Sequence, residues 1–418
     1  MTGLSHVSQL IVSHDGAPVG RLHEGPGRGE ITFQYDPAWL RSGFDLAPHT
    51  LTFDSIPQTA PSPLFRGLHG VFAASLPDGW GLLLMDREFK RQSGWNPNEI
   101  SPLDRLAYIG SRAMGALEYY PATDCTVSDQ VDLSAMANSV DAVLRGEQPD
   151  VLSQLRIQGG SPGGARPKVT VARSKKQAEI LSGFQTLPDG YEHWMVKFRA
   201  KDDPADMGHI ELAYAEMAVA AGITMPETEL ITLRRAENES DEHFFAVRRF
   251  DRAGNHKLHV LALDTILYAD YRIPSLDYEI VLGVTQRFTQ NAREVEKAFR
   301  LACFNVLAHN QDDHGKNFSM LHTETGWKFA PGYDLTFCAG MGGEHTTSVS
   351  GDGKPNRQSL MKLAAAFSIK PDRATAVIEQ VIHAVKNWGF YADKNGVSTE
   401  SKNAIANGLT AVENRFNK

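Results

Sequence analysis

Short runs in which apolar and polar residues alternate dominate the first 120 residues. Residues 8–12 and 30–35 lie between turns that contain glycine or proline, and both runs predict β-strands. Residues 82–91 instead carry apolar side chains at helical spacing after an Asp-Gly turn, which predicts an amphipathic helix. Residues 121–150 predict a bridging helix and a linker. We therefore expect a strand-rich amino-terminal part with helices added.

Strand patterns continue to about residue 250 and then give way to helical ones. A helix is predicted at 208–221, with Gly222 ending it. Further strands are predicted at 169–172, 194–198, 228–233 and 243–250. From residue 258 onward the spacing is helical almost everywhere outside 318–334, where two short strands surround a turn. This order predicts an α+β protein with a β-rich amino-terminal lobe and a mostly helical carboxy-terminal lobe.

The densest group of polar side chains, His309 to Asn317, follows a predicted buried helix. Asp312 and Asn317 are separated by four residues, the spacing of a protein kinase catalytic loop. Asp334 stands where such enzymes place a magnesium-binding aspartate. His314 and Lys316 could add hydrogen bonds or positive charge near a γ-phosphate, or could brace the loop. The pattern predicts phosphoryl transfer that uses ATP and Mg²⁺.

A second stretch, residues 158–168, is rich in glycine and runs into a predicted strand. Glycine lets backbone N–H groups approach a ligand closely, as a phosphate requires, and a loop that leads into a strand fits the flap of a kinase. Lys197 lies within a later apolar strand, where kinases carry the lysine that contacts the α- and β-phosphates. A surface loop and a lysine that snorkels to solvent are the alternatives.

Composition narrows the class of protein. The chain has 418 residues, 42% of them hydrophobic and 22% charged, which predicts a folded protein of two or three subdomains. No apolar run is long enough to span a bilayer and no basic-then-apolar leader is present, so a cytoplasmic location is expected. Three scattered cysteines favour neither disulfides nor a thiolate metal site. The net charge of −8 disfavours a surface that binds nucleic acid throughout.

The motif Asn310-x-Asp312-x-His314-x-Lys316-Asn317, followed by Tyr333-Asp334-Leu335, resembles the signature of the HipA-type serine/threonine kinases, the toxins of bacterial type II toxin–antitoxin pairs. Residues 161–168 resemble the phosphate loop of that family, and residues 249–252 resemble its hinge. The resemblance covers nearly the whole chain. It implies a HipA-type N-terminal subdomain at 1–122, a kinase N-lobe at 123–255 and a helical C-lobe at 256–418.

The resemblance also implies roles for the matching residues. Asp312 would orient the substrate hydroxyl and accept its proton, while Asn317 and Asp334 would hold Mg²⁺. Ser161 would be a site of autophosphorylation that displaces the loop from the nucleotide, because a phosphate there could not share the site with the γ-phosphate. The ATP contacts would come from Ser161, Gly163, Gly164, Ala165, Lys168, Lys197, Arg249, Phe250, His314 and Lys316.

Members of this family phosphorylate translation components, especially aminoacyl-tRNA synthetases, and are neutralised by a helix-turn-helix antitoxin of the HipB type. The resemblance therefore implies a protein substrate and an antitoxin partner, with DNA contacted only through that antitoxin. The residues alone leave three alternative functions open. They are a kinase for a small molecule or lipid, a corepressor subunit, and a metal-dependent hydrolase built on His309, Asp312, Asp313, His314 and His322.

Overall fold

The structure is a computed structural model that describes residues 4–25, 27, 29–123, 130–145, 155, 164, 166–177, 179–233 and 241–416. The strands are β1 (Gln9–His14), β2 (Ala17–Glu24), β3 (Ile31–Tyr35), β4 (Gln58–Thr59), β5 (Leu117–Tyr120), β6 (Lys168–Ser174), β7 (Leu181–Ser182), β8 (Tyr191–Lys197), β9 (Thr228–Leu233), β10 (Glu242–Arg248), β11 (Arg252–Ala253), β12 (His256–Lys257), β13 (Val260–Ala262), β14 (Leu276–Asp277), β15 (Ser319–Thr323), β16 (Gly326–Phe329) and β17 (Thr347–Ser348). The helices are α1 (Pro37–Ser42), α2 (Gly70–Ala73), α3 (Gly79–Ser93), α4 (Pro102–Ile109), α5 (Leu133–Leu144), α6 (Met207–Ala220), α7 (Leu263–Leu267), α8 (Tyr278–Thr289), α9 (Ala292–Leu307), α10 (Arg357–Ala366), α11 (Pro371–Lys386), α12 (Trp388–Lys394) and α13 (Thr399–Phe416).

The chain forms two compact units. The first consists of Met1–Asp202 with Arg248–Leu261 and Thr265–Tyr268, and the second of Asp203–Val247 with Ala262–Asp264 and Ala269–Lys418. Strands are concentrated in the first unit and long helices in the second. The predicted α+β class, strand-rich first and helical afterwards, is confirmed. The division into three domains at residues 122 and 255 stays a prediction.

The first unit contains an antiparallel sheet in the order β4-β3-β2-β1-β5. The alternation that predicted its strands places one face in the core, so Phe33 of β3 is fully buried and its ring lies 4.6 Å from that of Phe72. Helix α4 starts with a capping box in which Ser101 and Asp104 satisfy each other's backbone N–H groups.

A second antiparallel group in the first unit pairs β6 with β7 and with β8. In its register Lys168 lies directly opposite Lys197, and Val169 lies opposite Val196. Directly opposite residues share one face of a sheet, so the two lysines lie side by side. Both are buried, with 5% and 8% of their surfaces exposed.

The second unit is organised around α9. Asn291 caps its first turn by accepting a hydrogen bond from the Arg293 N–H group. Its last ten residues are all buried, including Phe299, Cys303 and Val306. The helix therefore delivers the following loop, residues 309–317, from a rigid and fully packed element. The predicted hairpin beyond that loop is present as β15 paired with β16.

Three short strands, β13, β14 and β17, interrupt the region that the helical spacing covered. They are two or three residues long, and β14 pairs with β17 in parallel across 71 positions of sequence, so local periodicity carries no signal for them. Within the described residues, no helix is both long and apolar enough to cross a bilayer.

Candidate active site

The loop that follows α9 begins with a change of backbone direction. His309 has a φ of 54°, a left-handed conformation that ends the helix. The peptide groups beyond it pair with a neighbouring strand-like segment: the Cys338 N–H donates to the His309 carbonyl at 3.0 Å, and the Gln311 N–H donates to the Cys338 carbonyl at 3.0 Å. The backbone is thus fixed on both sides of Asn310 before the reactive residues begin.

Asp312 presents its carboxylate outward. Its side chain is 59% exposed, and Nε2 of His314 lies 3.7 Å from its Oδ1. Its peptide carbonyl accepts a hydrogen bond from Nδ2 of Asn317 at 2.7 Å. The asparagine of the predicted D-x-x-x-x-N motif therefore closes the loop onto the aspartate's own backbone, and the aspartate side chain stays accessible to a reactant.

Asp313, the next residue, points the opposite way and is completely buried. Its carboxylate accepts hydrogen bonds from the Tyr278 hydroxyl at 2.8 Å, from Nδ1 of His345 at 2.9 Å and from the Thr347 N–H at 3.1 Å. Burial, reinforced by the neighbouring Asp313 carboxylate, raises the pKa of Tyr278 well above its usual value. The loop is anchored from behind by this carboxylate, a role that the sequence did not indicate.

Two asparagines extend the anchor. Nδ2 of Asn305 donates to the Tyr278 hydroxyl at 2.9 Å, and Nδ2 of Asn310 donates to Oδ1 of Asn305 at 2.9 Å. The Asn310 N–H also donates to the Asn305 carbonyl at 2.9 Å. A chain of buried polar groups therefore connects α8, α9 and the loop, and such connected networks rigidify the elements they join.

The glycine-rich segment 340–353 is bonded to the 309–317 loop. The Gln311 side chain donates to the Gly343 carbonyl at 3.1 Å and accepts from the Gly340 N–H at 2.8 Å. A Cβ at Gly340 would lie 2.0 Å from the Glu344 carbonyl oxygen, so only glycine fits this close approach. The segment carries His345 and Thr347, both partners of Asp313.

The second acidic turn is tied to the end of the loop. The Tyr333 hydroxyl donates to the Lys316 carbonyl at 2.6 Å and accepts from the Ser319 hydroxyl at 2.6 Å. Asp334 follows directly with a φ of 55°, which turns the chain. Tyr333 thus links the backbone next to Asn317 with the backbone next to Asp334, and a magnesium site shared by these two residues stays a prediction.

Asn317 and Asp334 suit Mg²⁺ in their chemistry, since this ion takes oxygen ligands and is held by one or two carboxylates together with phosphate oxygens. The Asn317 amide nitrogen is engaged with the Asp312 carbonyl, which leaves its amide oxygen as the atom of that side chain that can bind a cation. The donor set therefore fits the ion that the sequence predicted.

His314 and Lys316 both contact one aromatic ring. Nζ of Lys316 is 4.1 Å from the centroid of the Tyr271 ring, and the His314 ring is 5.3 Å from it. An ammonium group over an aromatic face is held by the ring quadrupole. Both side chains therefore pack on Tyr271, and their contact with a phosphate stays a prediction.

Within the glycine-rich loop of the first unit, the structure describes Gly164 and residues 166–168, whereas Ser161, Gly163 and Ala165 lie outside the described residues. The Gly164 N–H donates to the Asp78 carboxylate, and its carbonyl accepts from the Trp80 N–H at 3.3 Å. A Cβ at Gly164 would lie 2.6 Å from Nζ of Lys168. The Lys168 ammonium group therefore lies close to the backbone at Gly164, in the space that a side chain at position 164 would occupy.

Arg249 and Phe250, predicted as hinge contacts to ATP, follow β10. The Arg249 guanidinium binds Asp251 through two hydrogen bonds of 2.9 and 2.7 Å, and the Gly115 N–H adds a third at 2.8 Å. Burial disfavours ionisation of Asp251, but Arg249 and Arg252 outweigh it and hold the pKa of this carboxyl well below its usual range. The hinge arginine thus has a structural role within its own unit, and its contact with ATP stays a prediction.

The five residues of the hydrolase alternative have different surroundings. Asp313 is buried in the anchor, His309 packs against the Phe337 ring at 4.8 Å, and His322 packs against Trp327 at 5.1 Å. In the described ranges, no group of three or more His, Cys, Asp or Glu residues is placed to hold a metal ion. The structure does not bring this set together.

Sequence profiles of two known domains match this chain. The sequence profile of the HipA N-terminal domain matches residues 10–120, and that of the HipA-like C-terminal domain matches residues 160–388. These matches define a protein in which an amino-terminal HipA domain precedes a HipA-like carboxy-terminal domain. The chain belongs to the HipA family.

Individual relatives support the assignment. A Sinorhizobium fredii protein named "Putative kinase Y4mE" is 27% identical over 359 residues, which are 79% of this chain and 77% of the relative. HipA of Shewanella oneidensis MR-1, solved with HipB and operator DNA, superimposes with a TM-score of 0.72 at 15% identity and covers 97% of this chain and 96% of that one. At this identity the second comparison shows the shared fold.

Proposed function

We propose that this chain is an ATP- and Mg²⁺-dependent serine/threonine protein kinase of the HipA toxin type. The observation that carries the proposal is the contrast at the catalytic loop. Asp312 is open to solvent on a loop that Asn317 closes, while Asp313 holds the same loop from the buried side. Phosphoryl transfer requires a positioned nucleophile and stabilisation of charge rather than covalent chemistry by the protein, and this loop supplies the first of these.

Asp312 orients the hydroxyl of the acceptor serine or threonine and accepts its proton. Asn317, through its amide oxygen, and Asp334 hold Mg²⁺, which when bound with ATP neutralises charge on the phosphates. His314 and Lys316, positioned against Tyr271, add positive and hydrogen-bonding character beside Asp312.

Lys168 and Lys197 bind the phosphates of ATP together with the backbone around Gly164. Ammonium groups are strong donors to phosphate oxygens, and these two lie side by side next to Gly164, which supports placing a triphosphate here. Ser161, Gly163 and Ala165 complete the loop, Arg249 and Phe250 lie at the hinge, and Ser161 is the site of autophosphorylation.

We further propose a protein substrate from the translation machinery, such as an aminoacyl-tRNA synthetase, and a helix-turn-helix antitoxin of the HipB type. The Shewanella relative that shares this fold was solved with HipB and its operator DNA, which supports an antitoxin partner here. DNA is reached through that partner, and the protein acts in the cytoplasm.

The experiment is intact mass spectrometry of the full chain after incubation with Mg·ATP, alone and with a candidate synthetase, alongside nucleotide binding by calorimetry. The variant is Asp312→Asn, and the matched control is Asp372→Asn, an exposed aspartate in the first turn of α11. We expect the wild type and the control to transfer phosphate. Asp312→Asn should lose about 10²- to 10⁴-fold in rate, the usual contribution of a positioned base, and should still bind ATP.

Each result has a distinct meaning. Transfer by Asp312→Asn at the wild-type rate would refute the role of Asp312, and failure of the wild type to bind ATP would refute the kinase. ATP turnover without any phosphorylated protein would indicate a small-molecule acceptor.

A further inference from the structure

Among the residues that the structure describes, three side chains behind the 309–317 loop have buried nitrogen atoms without a hydrogen-bond partner. We call His309, His345 and Arg415 the rear cluster. The unpartnered atoms are Nδ1 of His309, Nε2 of His345, and both Nε and Nη2 of Arg415. Buried polar atoms are almost always hydrogen-bonded in folded proteins, so a group of four within one unit requires an explanation.

Helix α13 brings Arg415 toward His309. A Cβ at Gly408 would lie 2.6 Å from the Phe337 ring and 3.6 Å from Cδ2 of His309, so this face of α13 packs on them. Arg415 follows Gly408 by two helical turns and therefore lies on the same face, and helical side chains lean toward the helix amino terminus. Glu413 points elsewhere on the helix, where its carboxylate pairs with Lys386 at 2.8 Å.

His345 also has a buried ring nitrogen without a partner among the described residues. Its side chain is fully buried, and its Nδ1 donates to Asp313 at 2.9 Å, so its Nε2 lies on the far side of the ring from the catalytic loop's anchor. Burial, and then the proximity of His345 and Arg415, lowers the pKa of His309 to about 4. The surroundings of His309 therefore disfavour its protonated form.

The buried Nε and Nη2 atoms of Arg415 indicate which kind of ligand could bind. Water satisfies hydrogen bonds but leaves the charge uncompensated, and an uncompensated buried charge is costly. Nε and the adjacent Nη2 of arginine project in parallel and match two oxygens of one oxyanion. Arg415 as a whole is only partly buried, which leaves a route for a small ion to enter.

From this geometry we propose that the rear cluster binds a small oxyanion of the inorganic phosphate class, with Arg415 as its bidentate ligand and the two imidazoles beside it. The site is built from residues other than the proposed ATP ligands, so it does not depend on the proposed function. Its ligands continue directly into the catalytic loop, since His309 precedes Asn310 and His345 is bonded to Asp313. Occupancy therefore stabilises the loop.

The test is equilibrium dialysis of the full chain with radiolabelled inorganic phosphate at constant pH and ionic strength, with chloride as the balancing ion. Arg415→Gln removes the positive charge and one of the two parallel N–H donors. Arg373→Gln is the matched control, because that arginine is exposed and already pairs with Glu296 at 2.6 Å. We expect at least about tenfold weaker binding in Arg415→Gln, the cost of losing one charge-assisted contact, and wild-type affinity in Arg373→Gln.

Thermal unfolding provides a second readout. Phosphate should raise the Tm of the wild type above that in chloride, and this increment should vanish in Arg415→Gln. If Arg415→Gln does not fold, Arg415→Lys keeps the charge while removing the paired N–H edge, and it should bind phosphate more weakly than the wild type. Equal phosphate affinities in the wild type and in a folded Arg415 variant would overturn the proposal, as would the absence of phosphate binding by the wild type.

Discussion

Asp312 and Asp313 are neighbours in sequence, yet their substitution should have opposite consequences. Asp313 is fully buried and accepts three hydrogen bonds, from Tyr278, His345 and Thr347, whereas the Asp312 side chain is 59% exposed. We predict that Asp313→Ala lowers the stability of the second unit strongly and that Asp312→Ala hardly changes it.

The magnitude follows from the donors that Asp313→Ala leaves behind. Each buried donor without a partner costs about 1–3 kcal/mol, and removing one partner of a buried charged network typically costs about 3–5 kcal/mol. We therefore expect a loss of about 3–5 kcal/mol for Asp313→Ala. Asp313→Asn keeps the volume and an acceptor oxygen but turns an amide N–H₂ toward a donor, so its loss should be about 1–3 kcal/mol. Asp312→Ala should remain within about 0.5 kcal/mol of the wild type, as exposed substitutions do.

Urea unfolding measures these differences, with tryptophan fluorescence reporting on Trp327 and Trp388 of the second unit. Hydrogen exchange of the 309–317 amides adds a local readout. Loss of the Asp313 carboxylate should increase exchange in this loop before exchange increases in α9. The reasoning fails if Asp313→Ala is as stable as the wild type, or if Asp312→Ala and Asp313→Ala destabilise equally.

Three further predictions concern the ligands and pH. Asn317→Ala and Asp334→Ala should each weaken Mg·ATP binding about tenfold or more by calorimetry, while leaving Mg²⁺-free nucleotide binding nearly unchanged. Lys197→Met should weaken ATP binding similarly by calorimetry, because it removes one of the two ammonium groups proposed to contact the phosphates, and an unchanged ATP affinity would contradict that role. Burial holds the pKa of His309 near 4 in the fold, whereas the unfolded chain protonates it near its ordinary value of 6.5. The stability contributed by neutral His309 is therefore complete above pH 6.5 and declines as the pH falls toward 4, and His309→Gln should flatten the pH dependence of the unfolding free energy over that window.

The sequence predicted those features that repeat along the chain. Alternation located β6 and β8 and assigned Met195 and Lys197 to the same face, and the spacing of Asp312 and Asn317 located the loop that the structure closes by their hydrogen bond. It could not show which of the two adjacent aspartates points inward, because an irregular loop has no period. The inward residue is decided by Tyr278, His345 and Thr347, which lie 32 to 35 positions away.

The glycine-rich segment was missed for a related reason. Its glycines have no side chains to form a pattern, and its attachment to the loop is made by their backbone groups and the Gln311 amide. Arg249 differs in that its partner, Asp251, stands only two positions away. Opposite charges so close in sequence can meet in a short turn, so this ion pair was within reach of sequence reasoning.

The arrangement of the loop has a physical rationale. A carboxylate that meets an incoming hydroxyl is positioned best when its backbone is fixed. Asn317 holds the Asp312 carbonyl, Gln311 is fixed by both ends of its amide, and Asp313 is buried, so the peptide groups on both sides of Asp312 are constrained while 59% of its side chain is exposed. Loss of Asp313 should therefore impair transfer by misplacing Asp312 rather than by removing a reacting group, and a folded Asp313→Asn protein should lose kcat while its KM for ATP changes little.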